Sequence, residues 1–158
     1  MTTIIEVENI EQHCQELEQA LQSADFAPVL RQVLPIALQA HRDNFTSSAS
    51  PDNANWTPRL ITGDGHPLLI ESGDLMQAAT GGAHSIMVID GRVLTLGVDG
   101  NAIPYAAIHN YGGQFSAQDG SMHVMPQREY LGMNDARLQE ADQVIASGCL
   151  VVLFGGTP

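Results

Sequence analysis

The chain contains no lysine. Its six cationic side chains are all arginines, set against eighteen carboxylates, for a formal charge of -12. A surface of that sign repels a phosphate backbone and so disfavours nucleic-acid binding. The missing lysine also removes the cation that a P-loop requires. Cysteine is nearly absent: Cys14 and Cys149 are too few for a disulfide scaffold and too far apart for a paired ligand motif, so both read as reduced core thiols. Aromatic residues make up only 5% of the chain, and Trp56 is the sole tryptophan. No apolar run reaches the length of a membrane span; CLVVLF (149–154) is strand-sized. The opening MTTIIEVENIEQ has neither a basic segment nor an apolar core of the secretory kind, so a cytoplasmic origin is expected.

Catalytic signatures are missing as well. There is no C-x-x-C, H-x-x-x-H or H-E-x-x-H, the short spacings that bring metal ligands together. No serine lies in a G-x-S-x-G elbow, and the glycine-bearing GGAH and FGGTP fit neither nucleotide fingerprint. His13, His41, His66 and His84 are scattered. His109 and His123, with a carboxylate, form the one constellation that a metal-dependent hydrolase could use. A Cys149–His109 nucleophile pair is disfavoured, because the apolar run around Cys149 raises a thiol pKa. The expectation is a protein with no cofactor, no resident metal and no enzymatic activity.

What is present is a patterned α+β chain, read as a single domain over 1–158. IIEV (4–7) suggests a short strand. Ile10, Cys14, Leu17 and Leu21 recur at helical spacing, with Asn9 and Gln12 placed for a capping box. Asp25 starts a second helix with Pro28 in its first turn, an apolar face of Val29, Leu30, Val33, Leu34, Ala37 and Ala40, and a kink expected at Pro35. Together these predict an N-terminal helical hairpin over about 9–47. Residues 47–70 read as a loop from their Ser, Pro, Asn and Asp density. Ser72 is placed to cap a short helix over 71–79. A β-rich core follows over 83–132. Its clearest element is HSIMVIDGRVLTLGV (84–98), a hairpin closed by Asp90-Gly91 in a type I′ turn. Asn134 or Asp135 then caps a helix with Leu138, Ala141 and Ile145 on one face, ended by Gly148. CLVVLF closes the region 134–154 as a short strand, paired within the chain or open to a partner.

Between the hairpin and that last helix lies IPYAAIHNYGG (103–113). A helical turn would put Tyr105, Ile108 and His109 on one face, and Gly112-Gly113 would supply a reversal that a Cβ resists. His109 therefore reads as a packed, hydrogen-bonded side chain. Trp56, bracketed by Pro51 and Pro58, reads as an anchor that pins a long loop, although a small-ligand module around it is a further reading. Arg128 reads as an ion pair holding its turn or as a contact with a neighbouring subunit.

Four spaced segments resemble one family, the phage virion morphogenesis or tail completion proteins of Mu-like and related tailed phages. Phe45, Pro51, Asp52, Trp56 and Pro58 are similar to its Phe, Pro-Asp and Trp-x-Pro segment. Leu69, Ser72, Gly73 and Leu75 resemble its Leu-x-x-Ser/Thr-Gly-x-Leu segment. Tyr105, Ala106, His109 and Gly112 match Tyr-Ala-x-x-His-x-x-Gly, and Pro126, Arg128, Tyr130, Leu131 and Gly132 match Pro-x-Arg-x-Phe/Tyr-Leu-Gly. Together they span about residues 25–147. Gln127 departs from the pattern, which usually has a small residue there.

The resemblance implies a structural protein of the virion tail or neck, found in the host cytoplasm during assembly. It would complete the tail at its head-proximal end and help join it to the filled head. The implied partners are itself, as a ring of six, together with tail tube or sheath proteins and head–tail connector proteins. No membrane is implied, and DNA would pass through the ring lumen without specific binding. A head-side connector adaptor is the alternative within assembly.

Overall fold

A long helix organises the molecule. In the computed structural model, which describes residues 9–59, 65–117 and 119–155, α2 spans Ala27–Ser47 and buries Val29, Val33, Ile36, Ala37, Ala40 and Phe45. Those positions recur at three- and four-residue spacings, so one stripe of the helix faces the interior. Asp25 Oδ1 accepts from the Ala27 N–H at 2.9 Å. Pro28 lies in the first turn, where its missing N–H costs nothing. Pro35 removes one internal hydrogen bond, yet the helix continues through it. The stop comes at Ser48, in the left-handed conformation at φ 52°.

α1 (Ile10–Ser23) precedes α2, and the two are joined by Ala24–Phe26. The two N-terminal helices are those expected. No residue of α1 is buried, Ile10 is 57% exposed, and α1 also contacts α5, the C-terminal helix (Asp135–Phe154). The capping box is not made, because Asn9 is left-handed at φ 70° and its side chain caps nothing. A capping side chain works from extended backbone, which aims its oxygen at the first free N–H groups.

α5 is helical from Asp135 to Phe154. Residues 149–154, expected as a terminal strand, continue this helix to Phe154, and Gly148 does not end it. An apolar run of six residues fits a buried strand and a helix segment equally well by pattern. Here the run is helical and leaves Leu150, Val151 and Phe154 exposed. A Cβ on Gly148 would lie 2.6 and 2.7 Å from the two methyl carbons of Val29, so the glycine allows α5 to approach α2 closely. Val33, Ile36 and Ala141 form a core cluster between the two helices, with Leu94, Met133 and Val144 packed against it. Asn134 caps α5, its side-chain oxygen accepting from Arg137 N at 3.0 Å. Arg137 then bridges to Asp43 of α2 at 2.8 Å and to Glu140 at 2.8 Å.

The β-structure consists of two separate antiparallel ribbons. β1 (Ser85–Asp90) pairs with β2 (Val93–Val98), and Asp90 stands opposite Val93. The turn therefore has Gly91-Arg92 at its centre instead of Asp90-Gly91. Gly91 has φ 56° and Arg92 does not have positive φ, which is the pattern of a II′ turn with glycine first, not I′. The Arg92 guanidinium lies 5.5 Å from the Phe26 ring centre and donates to the Leu21 carbonyl, tying the ribbon's turn to the α1–α2 junction. β3 (Gly113–Ser116) pairs with β4 (Met122–Met125). Two short helices complete the fold. α3 (Asp74–Ala79) is entered through Gly73 at φ 87°, so Ser72 lies one position before the cap; its hydroxyl donates to Asp74 Oδ2 at 2.7 Å. α4 (Ala106–Tyr111) follows Tyr105.

Neither cysteine is a core thiol: both are free, Cys14 is exposed and Cys149 is half-buried. The strand expected at 4–7 lies outside the described residues. Among the described residues, no helix is long and apolar enough to cross a membrane.

Candidate functional site

The segments singled out by their spacing meet in one place. Phe45 from α2, Trp56 from the loop, Leu75 from α3, Ala106 from α4 and Tyr130 form a buried cluster with Ala78, Ala79 and Ile103. The Phe45 and Trp56 rings meet edge to face at 5.7 Å, and Phe45 and Tyr130 tilt together at 5.4 Å. Each polar edge has a partner, as a buried aromatic requires. Trp56 Nε1 donates to the Glu129 carbonyl at 3.1 Å, and the Tyr130 hydroxyl donates to the Ala106 carbonyl at 3.0 Å. Burial pushes that hydroxyl's pKa far above the usual tyrosine range. Trp56 is thus an anchor for its loop.

The chain after β4 is threaded between α2 and α4. Arg128 N donates to the His109 carbonyl at 2.8 Å. Asn110 Oδ1 accepts from the N–H groups of Tyr130 and Leu131 at 3.0 and 3.1 Å. From the other side, Asn44 Nδ2 donates to the carbonyls of Tyr130 and Gly132 at 3.2 and 3.1 Å. Gly112 ends α4 at φ 69°, and a Cβ there would come within 2.9 Å of Gln127 N. Gly132 has φ 135°, and a Cβ there would meet Pro51 Cγ at 2.7 Å. Both glycines are fixed by backbone conformation and by close approach together.

Asn44 and Asn110 are absent from the expected set. A signal for Asn44 does exist: it lies with His41 on the stripe of α2 that also carries Val33, Ala37 and Ala40. A polar residue on a buried stripe demands a partner. His41 Nδ1–H donates to the Ala79 carbonyl at 2.7 Å, and burial holds its pKa below the ordinary value despite that bond.

Of the two readings of Arg128, the ion pair within its turn is not the one formed. The side chain is 6% exposed and pairs with no carboxylate among the described residues. Its Nε donates to the Thr57 carbonyl at 2.9 Å and its Nη2 to the Pro58 carbonyl at 3.4 Å, while Nη1 meets only Met125 Sδ at 3.5 Å. The guanidinium therefore holds the Trp56–Pro58 loop by its carbonyls. His109 is packed edge to face with Tyr105 at 5.8 Å, but its Nδ1 is enclosed and has no hydrogen-bond partner. Burial, and then the charge of Arg128, hold its pKa below the usual range.

Two cavities flank this pair. One of about 320 Å³ is lined by Arg59, Leu69, Ser72, Gly73, Leu75 and His109 among others. The other, about 510 Å³, adds Pro58, Phe115, His123 and Pro126. His109 and His123 share the second cavity, but His123 stacks on Phe115 and bonds Ser121 Oγ at 2.8 Å. Among the described residues, no three His, Cys, Asp or Glu side chains lie together in a way that could hold a metal ion. Cys149 lines a separate cavity with Leu21, Phe26, Val29 and Ile145, away from His109.

Geometrically, the site is a buried aromatic lock with two asparagine clamps and an arginine–histidine pair lining two cavities. A family model described as the phage virion morphogenesis family matches residues 5–148. No curated protein and no solved structure matches the chain.

Proposed function

The chain belongs to the phage virion morphogenesis family, and we propose that it completes the tail at its head-proximal end and is needed to join that tail to the filled head. In this reading it works as a ring of identical subunits, docks on tail and connector proteins, and makes or breaks no covalent bond.

One observation carries the reading. The protein carries two separate two-stranded ribbons, β1–β2 and β3–β4, and among the described residues no third strand covers the outer edge of either. A lone two-stranded ribbon is marginal in water, and open edges are templates for pairing with another chain. These ribbons also expose apolar side chains that a monomer has little reason to leave in water. Met87, Val88 and Val93 are exposed on the first, and Phe115, Met122 and Val124 on the second; Val88 is 50% and Val124 69% exposed. Exposed apolar side chains on ribbons with open edges suit contact with another protein surface. The net charge of -12 opposes contact between identical subunits, but salt screens exposed charges beyond about 8 Å. Apolar ribbons are the surface that can overcome the remainder.

Deletion of the gene from its phage, with electron microscopy of the lysate, tests the reading. Filled heads and separate tails are expected, restored to virions by the intact gene. Joined, infectious particles without the gene would overturn it. Pull-down against isolated tails and isolated heads assigns the side: capture by tails alone supports tail completion, and capture by heads alone supports a connector adaptor.

A further inference from the structure

The last turns of α5 are apolar on every side. Residues 143–158 contain no charged side chain, and a helix without a polar face is normally covered. Val152 and Leu153 are half-buried, but Leu150, Val151 and Phe154 are exposed, Leu150 at 61% and Phe154 at 64%. Leu150 and Phe154 lie one helical turn apart and so form a single knob. Gly155 closes the helix at φ 64°, its N–H donating to the Val151 carbonyl, so the knob stands on a completed turn.

A matching hollow lies at the other end of the molecule. The cavity of about 510 Å³ has a mostly apolar lining, with Phe115, Val124 and Met125 from the β3–β4 ribbon and Pro58 and Pro126 from the flanking chain. Its volume is in the range that takes whole organic ligands, about 300–1,000 Å³. α5 lies antiparallel to α2, with Gly148 against Val29 and Arg137 paired with Asp43. The aromatic lock, which this cavity adjoins through Thr57 and Arg128, sits at the Phe45 end of α2. At about 1.5 Å per residue the knob therefore lies roughly 30 Å from the lock along the helices. A chain cannot place its knob in its own cavity, but a neighbour can.

Charge selects a second copy as the occupant. Two chains of -12 repel wherever their carboxylates meet. The knob brings none, and no carboxylate is among the described residues that line the cavity. The carbonyls that end α5 carry the negative end of its dipole, which suits a wall of that composition. We propose that the apolar end of α5 of one copy enters this cavity of the next, with Leu150 and Phe154 as the buried side chains. A contact between two different patches is head-to-tail, and repeats of it close into a ring when the rotation allows. The proposal rests on the ring reading above and supplies its contact; it is separate from docking onto the tail.

Sedimentation of the full-length protein and two variants tests it. Leu150→Glu with Phe154→Glu removes the knob, and Val124→Glu blocks the cavity. All three side chains are exposed, and circular dichroism confirms that each variant folds. The native protein should assemble as concentration rises. Each variant alone should need a concentration at least about tenfold higher, or stay monomeric. A one-to-one mixture of the variants keeps one intact knob and one intact cavity, so it should form a heterodimer and stop there. Assembly of either folded variant at native concentrations would overturn the proposal. So would a mixture without heterodimer, or native protein that stays monomeric to about 1 mM. The deletion phenotype expected above does not depend on which surface joins the copies, so failure of this contact and failure of the tail-completion reading are distinguishable.

Discussion

Asn44 and Asn110 grip the same stretch of main chain from opposite sides. Asn44 donates to the carbonyls of Tyr130 and Gly132, and Asn110 accepts from the N–H groups of Tyr130 and Leu131. Both side chains are buried, so neither set of main-chain groups can turn to water if its asparagine is lost. An unsatisfied buried group costs about 1–3 kcal/mol. Asn44→Ala and Asn110→Ala should each lower unfolding stability by about 2–4 kcal/mol in urea titrations. Their effects should not add, because both act on residues 130–132. Simple additivity would mean that the two clamps hold independent structures.

The contact between α2 and α5 gives a second test, one with a change of sign. Gly148→Ala gains up to about 1 kcal/mol of helix propensity. The new methyl, however, would lie 2.6 Å from a methyl carbon of Val29, and overpacking of that kind costs about 1–3 kcal/mol. The substitution should therefore destabilise the native protein, and in a Val29→Ala background it should become neutral or stabilising. Thermal melts of the four proteins in this cycle check it. A stabilising Gly148→Ala in the native background would show that the helices do not approach this closely.

His41 makes stability depend on pH. Burial lowers its folded-state pKa, so below about pH 6.5 the unfolded chain binds a proton that the folded one resists. Stability should be complete above that value and fall as pH drops below it, by at most about 1.4 kcal/mol per pH unit from this residue. His109, lowered by burial and by the Arg128 charge, adds in the same direction. Burial alone would raise the Asp43 pKa, but hydrogen bonds from Gln39 and Arg137 hold it below the usual carboxylate range. Its contribution is therefore retained until more acid conditions. Urea titrations between pH 7.5 and 5.0 should show a shallower decline for His41→Gln than for the native protein; equal slopes would contradict this assignment.

The elements with local signatures were legible in the sequence. The β1–β2 ribbon, the Pro28 start of α2, the Asn134 cap and the Gly112 stop are set by residues within a turn of the feature they control. The turn centre was missed by one residue, since Gly91 satisfies either a I′ or a II′ turn and only the Asp90–Val93 pairing decides. β3 was hidden because Gln114 and Ser116 make it polar and its partner strand lies beyond a turn. The helical course of 149–154 was not legible, because an apolar run of six residues fits a strand and a helix segment equally well. The residue types of the lock were visible as spaced motifs. Its hydrogen bonds were not, because an asparagine that reaches main chain 86 residues away leaves no local pattern.

The proposal that this protein acts by docking through its open ribbons is tested most directly on the ribbons themselves. A phage carrying Val88→Glu and Val124→Glu would keep the core, since both side chains face outward, and circular dichroism of the purified variant would confirm that it folds. Electron micrographs of the lysate should then show filled heads and unjoined tails, with infectious titre reduced at least about a hundredfold, as loss of roughly 3 kcal/mol of interface energy implies. Normal virions at native titre from the folded variant would contradict the account.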